Sequence, residues 1–234
     1  MLFPFTRLYG SLRAPFGDAT MQNPLNTRQQ AIIPIAALTA CGDMARLTTA
    51  LHEGLDAGLT VNEIKEVLVQ LYAYCGFPRS LNGLGCFMSV MNTRQAQGIV
   101  DEAGKEATPA AAGWDSLTAG RDTQTALVGR TVSGPLFDFA PAIDTYLKAH
   151  LFGDIFQRDV LDWQTRELAT ISALAAIPGT ESQLKSHFAI SQHNGISPEQ
   201  FHAFIAVLAA KCAPDMAANA NAVLAQFLDE IPSA

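Results

Sequence analysis

The sequence predicts an all-α fold of two tandem helical repeats, on three observations. Apolar residues recur at helical spacing in almost every periodic segment. No segment keeps the period-two alternation of a half-buried strand. Short motifs also return in the same order. Phe16-Gly17-Asp18 with Thr27-Arg28 reappears as Phe152-Gly153-Asp154 with Thr165-Arg166, Gly58-Leu59-Thr60 as Gly195-Ile196-Ser197, and Cys75 as Cys212. The offset stays between 136 and 138 residues, as expected of a duplicated unit whose loops differ by a residue or two.

In the first repeat, a helix is expected from Thr27 to Cys41, bent or restarted by Pro34. A second should run from Asp43 to Ala57 and close on Gly58 as a C′ glycine. Thr60-Val61-Asn62-Glu63 reads as a capping box opening a third helix. That helix carries the core stripe Ile64, Val67, Leu68, Leu71 and Cys75, until Gly76-Phe77-Pro78 breaks it. A fourth helix then begins near Arg79 or Ser80.

The second repeat rehearses the pattern. A lead-in helix over Phe139–His150 precedes a helix from Thr165 to Ile177, stopped by Pro178-Gly179. The next helix closes on Asn194-Gly195. Ser197-Pro198-Glu199-Gln200 repeats the capping box, with proline at N1. Between the repeats lies a stretch rich in Ala, Gly, Thr and Ser, read as a connector with one short helix near Thr123–Val128. The domain boundaries are therefore 1–95, 96–136 and 137–234.

With 49% hydrophobic and 16% charged residues, the 234-residue chain is long enough for two buried modules. Some of that apolar surface is expected to be covered in a homo-oligomer. The net charge of -7, without a Lys/Arg cluster, excludes nucleic acid as a partner. No apolar run reaches the length of a membrane span, and the opening residues Met1–Arg7 lack a secretory pattern, so a cytoplasmic protein is expected. The four cysteines form no C-x-x-C, which leaves no local zinc or dithiol motif.

Two clusters of residues carry a resemblance. Arg166-Glu167, Pro178-Gly179, Leu184-x-x-His187 and Asn194-Gly195-Ile196-Ser197 resemble the front half of the carboxymuconolactone decarboxylase family module. Glu63-x-x-Glu66-x-x-x-Gln70 followed by Tyr74-Cys75-Gly76-Phe77-Pro78 resembles its back half. The resemblance implies a fold related to alkylhydroperoxidase D, with tandem chains assembling as a trimer that imitates a hexamer of single modules.

It also implies one of two chemistries. The peroxidase branch resembles a glutamate, a C-x-x-C pair and a histidine, with one thiolate attacking peroxide and the other resolving it. Repeat one has Gln29, Cys41, Met44 and Ala50 at the corresponding places, and repeat two has Glu167, Gly179, Ser182 and His187. The resolving cysteine is missing from both. The decarboxylase branch needs neither cofactor nor metal, because the electrons of the departing carboxylate flow into a conjugated lactone as a dienolate. It needs donors for the oxyanion and an acid for the dienolate carbon. A small-molecule substrate, a carboxylated lactone or related acid, is the partner expected.

Candidate residues follow from these matches. His187 offers an imidazole, whose ordinary pKa suits a proton donor, although a histidine packed on a helix is the plainer reading. Glu66, Gln70 and Tyr74 share one helix face, with Glu66 and Tyr74 candidates for catalysis and Gln70 for substrate binding. A solvated helix face is the alternative. Arg79, near a helix N-terminus, and Asn82 are candidate anion binders. Cys41 and Cys75 are the candidate redox thiols, with Cys75 and Cys212 also fitting buried structural positions. Arg28 and Arg166 suit helix ends or interface carboxylates. His52 falls two positions past the family histidine, and His193 and His202 have no motif behind them.

Overall fold

The computed structural model describes residues 24–230. The first copy of the repeated motif, Phe16-Gly17-Asp18, lies outside these residues. Among those described there are eleven α-helices, one π-helical segment and no strand.

Repeat one comprises α1 (Thr27–Cys41), α2 (Met44–Asp56), α3 (Val61–Gln70) and α4 (Tyr72–Ala96). Repeat two comprises α8 (Trp163–Ala175), α9 (Glu181–His193), α10 (Pro198–Lys211) and α11 (Pro214–Asp229). Between them run α5 (Ser116–Val128), α6 (Pro135–Phe139), α7 (Pro141–Tyr146) and the π-helical segment Leu147–Ile155.

The equivalent helices α1 and α8 pack on each other at the centre, and α1 also meets α10 while α8 meets α4. Both central helices are buried without a gap, over Ile32–Ala40 and Arg166–Ala175. One hydrophobic core therefore spans both repeats. Local signals set the helix starts. Asn26 and Gln29 form a capping box on α1, and Asp162 caps α8 by accepting from the Thr165 amide at 2.8 Å. Both boxes expected at Thr60/Glu63 and Ser197/Gln200 are present, and Gly58 and Gly195 adopt the left-handed conformation after their helices.

Three local expectations are corrected. Pro34 does not restart α1, which runs through it as one helix. The lost ladder bond costs about 3 kcal/mol, and burial of Ile32, Ile33 and Ile35 around it, at about 1.5–3 kcal/mol each, offsets that. The expected Ile64–Cys75 helix stops early, because α3 ends at Gln70, while the break expected at Gly76 is present, where that residue takes φ 79° and ψ 160° within α4. The expected lead-in helix is split, because Pro141 starts α7 directly after α6 ends at Phe139.

The connector's helix is longer than expected and takes part in packing. Residues α5 and the π-helical segment meet backbone to backbone. A Cβ on Gly120 would lie 1.8 Å from the Lys148 carbonyl oxygen, and one on Gly153 would lie 2.0 Å from that of Ser116. This close approach explains why Phe152-Gly153-Asp154 holds a glycine. Asp154 adds a tie, accepting from the Ser116 hydroxyl and pairing with His150 Nδ1 at 2.9 Å. A second, smaller core of Leu127, Leu151, Phe152, Ile155 and Phe156 lies beneath the contact. No helix among the described residues is long and apolar enough to cross a membrane.

Candidate active site

The back-half signature of repeat one and the front-half signature of repeat two come together within a single chain. Their meeting point has two layers, a buried polar joint and a cavity beside it.

The joint is built on Arg166, which is wholly buried in α8. Its Nη2 donates to Glu66 Oε1 at 2.8 Å and to the Arg158 carbonyl at 2.6 Å, while Nη1 donates to Gln70 Oε1 at 2.8 Å. Arg158 closes on Glu66 from the other side, Nε to Oε1 at 2.9 Å and Nη2 to Oε2 at 3.0 Å. Gln70 returns its amide to the Arg166 carbonyl and the Thr170 hydroxyl, at 2.9 and 3.0 Å. Burial alone would raise the Glu66 carboxyl, yet hydrogen bonds and charge from the two arginines outweigh it and hold its pKa below the usual value. Glu66 and Gln70 are thus engaged in joining the repeats, with their polar atoms occupied. The expected preference of Arg166 for an interface carboxylate is met here. Arg28 behaves similarly, donating to the Gly58 carbonyl at 2.7 Å and pairing with Glu63.

The cavity next to the joint has a volume of about 620 Å³. His187 and Tyr74 both line it, from α9 and α4 respectively. Their rings meet edge to face, with centroids 5.8 Å apart and planes at 78°. His187 Nδ1 lies 2.7 Å from Oε2 of Glu167, whose side chain is wholly buried. A carboxylate only accepts, so Nδ1 carries the proton and Nε2 is the free ring nitrogen. The Tyr74 hydroxyl is buried without a well-formed hydrogen bond, as is Glu167 Oε1. Burial, and then the Glu167 charge, pushes the phenol pKa up, so Tyr74 stays protonated and keeps its O–H available as a donor.

Other sequence candidates fall elsewhere. After the Gly76 kink, α4 packs along α2. The Arg79 guanidinium lies over Gly42 at the end of α1, where a Cβ on Gly42 would fall 1.3 Å from Nη1. Asn82 and His52 line a separate groove between α2 and α4. Neither Arg79 nor Asn82 reaches the His187 cavity, because the kink redirects the helix that carries them. Cys41 borders a cleft beside Arg46 and Ala213. Cys75 donates to the Leu71 carbonyl at 3.1 Å, and burial pushes its thiol up to about 11. All four cysteines are free, and none lines the cavity.

Two participants needed more than the motif reading. Glu167 was visible only as a family position, since its role depends on the turn of α9 that presents His187. Arg158 had no signal beyond a cation shortly after the π-helical segment.

The pseudo-equivalent place in repeat one is dismantled. Ala50 stands where His187 does and Lys211 where Tyr74 does. Lys211 instead pairs with Glu53 at 3.0 Å across a cleft of about 160 Å³. The chain thus holds, within a duplicated helical architecture, one cavity lined by a carboxylate-backed imidazole and the ring of a buried phenol. A family comparison agrees with that architecture: the model of the carboxymuconolactone decarboxylase family matches residues 8–87 and 141–226. The chain belongs to the carboxymuconolactone decarboxylase family. No curated protein matches it.

Proposed function

We propose that the protein is a lyase of the carboxymuconolactone decarboxylase type, acting on a carboxylated lactone or related acid without a cofactor. The observation that carries this reading is the Glu167–His187 pair at 2.7 Å, with the imidazole lining the cavity edge to face with the Tyr74 ring, whose hydroxyl is buried. Family membership alone accommodates peroxidases as well, but no thiol lines this cavity.

In the proposed reaction, the bond between the substrate carbon and its carboxylate breaks, carbon dioxide leaves, and the electron pair moves through the alkene to the lactone oxygen. Tyr74 donates a hydrogen bond to that developing oxyanion, a role suited to a phenol kept neutral. His187, as imidazolium, delivers its Nε2 proton to the dienolate carbon and recovers one from water. Glu167 holds the ring and stabilises its charged form. Glu66, Gln70 and Arg166 position the wall from which Tyr74 projects.

The same reading has the chain acting as a homotrimer in the cytoplasm. Phe77, Leu81 and Met88 are 61–64% exposed on α4, an apolar face suited to a subunit contact. Four unpaired thiols suit a reducing compartment.

The test is carbon dioxide release from a panel of carboxylated lactones by the purified protein. His187→Ala should lower kcat roughly a hundredfold or more, and Tyr74→Phe roughly tenfold to a hundredfold. Unchanged turnover in both variants would place the chemistry elsewhere.

A further inference from the structure

The cavity is far larger than a bare carboxylated lactone ring requires. At about 620 Å³ it falls in the range that encloses drug-sized ligands. Its walls differ in character. The π-helical segment contributes Leu147, Leu151 and Phe152, which with Phe137 form an apolar side, whereas α9 contributes Ser182, Gln183 and Ser186 beside His187.

Arg130 is the one Lys, Arg, Asp or Glu lining this cavity among the described residues. It is exposed at the mouth and free of any hydrogen bond or ion pair. Its backbone is pinned, because Gly129 ends α5 at φ 77° and packs against His193, whose Cε1 would lie 2.8 Å from a Cβ placed there. An uncommitted guanidinium at the entrance of a cavity without fixed negative charge on its walls is a recognition element for an anion.

We infer that the cavity takes an amphipathic acid, its anionic head held at the mouth by Arg130 and its apolar body lying along Leu147, Leu151 and Phe152. This rests on the assignment of the cavity as the active site and adds the substrate class. The anchoring anion is distinct from the group that leaves. An arginine on a departing carboxylate would stabilise the ground state more than the transition state and so slow its loss. Placing the cation at the mouth, with Tyr74 and His187 on the inner wall, separates holding from reacting.

Titration calorimetry with octanoate, octanamide and butyrate tests the inference on the full chain. Octanoate should bind at least tenfold more tightly than butyrate, because four methylenes enter the apolar wall. It should bind about fivefold more tightly than octanamide, the size of an exposed ion pair. Arg130→Gln should abolish the preference for acid over amide and leave octanamide unaffected, while Arg130→Lys retains part of it. Ala189→Trp, which sets an indole into the cavity beside His187 and Ile190, should weaken octanoate binding. Equal affinity for acid and amide in the unaltered protein, or equal affinity for octanoate and butyrate, overturns the inference. So does a head-group preference that survives Arg130→Gln, or octanoate affinity unchanged in Ala189→Trp. These readouts need no turnover, so a failure of the lyase reading is seen separately, in the carbon dioxide assay.

Discussion

Glu167 and His187 meet at 2.7 Å from successive helices of the second repeat, twenty residues apart, with the carboxylate wholly buried behind the ring. The pair fixes which imidazole nitrogen is free. Glu167→Gln would keep the shape but offer either an acceptor or a donor to Nδ1, so the ring loses its preferred tautomer. Turnover should fall roughly a hundredfold in kcat with KM little changed. Nitrogen-15 spectra of His187 should shift from the Nδ1–H form toward a mixture.

Arg166 is expected to be the most sensitive position for stability. Arg166→Met leaves Glu66 with Arg158 as its single cationic partner and strands Gln70, so unfolding free energy should drop by about 3–5 kcal/mol. The double variant Glu66→Gln with Arg166→Met should recover part of that loss, because the buried carboxylate left with only the half-exposed Arg158 is gone. Urea denaturation of the four proteins measures the coupling. A double variant as unstable as the sum of the singles contradicts it.

Acid should weaken the joint between the repeats. The folded-state pKa of Glu66 is depressed below its ordinary value of 4.5. Its stabilising contribution is therefore complete above that value and lost as pH falls through the lower, folded-state pKa. Thermal unfolding midpoints should decline below about pH 4.5, and Glu66→Gln should flatten that acid limb while lowering stability at neutral pH. An acid limb of equal steepness in the variant would move the effect to other carboxylates.

Thiol chemistry should be slow. Burial pushes both Cys75 and Cys212 up to about 11, leaving little thiolate at neutral pH. Alkylation of these two by iodoacetamide at pH 7.5 should lag well behind that of a free cysteine, and should quicken as pH rises toward 11. Rapid modification at neutral pH would contradict the burial argument.

Backbone contact between α5 and the π-helical segment makes Gly153 intolerant of a side chain. Gly153→Ala would place a Cβ 2.0 Å from the Ser116 carbonyl oxygen, and forcing the elements apart should cost about 1–3 kcal/mol. Because that contact walls the cavity, octanoate affinity should weaken in the same variant.

Much of the architecture was legible in the residues. Helical periodicity, the capping boxes at Thr60 and Ser197 and the glycines at 58 and 195 located helices that the structure contains, since each depends on interactions within a few residues. Pro34 misled because complete burial overrode a local breaker, and α4 extended further back because the Gly76 kink was absorbed within it. The site was only half legible. His187 and Tyr74 do share a cavity. Glu66 and Gln70 matched the same motif, yet their partners Arg166 and Arg158 lie about a hundred residues away, and that pairing cannot be read from helix-face spacing. Arg79 and Asn82 were expected near a helix start after the Gly76 break, and the break is there, but it carries them to Gly42 and to the α2–α4 groove, a destination set by long-range packing.

The central claim is one acid–base site per chain, built from Tyr74 of the first repeat and Glu167–His187 of the second, and independent of thiols. The most direct measurement is cofactor-free carbon dioxide release by three proteins: unaltered, His187→Ala, and Cys41→Ser with Cys75→Ser. The account predicts turnover retained in the cysteine variant and reduced at least a hundredfold in His187→Ala. Turnover lost with the cysteines and kept without the histidine would contradict it.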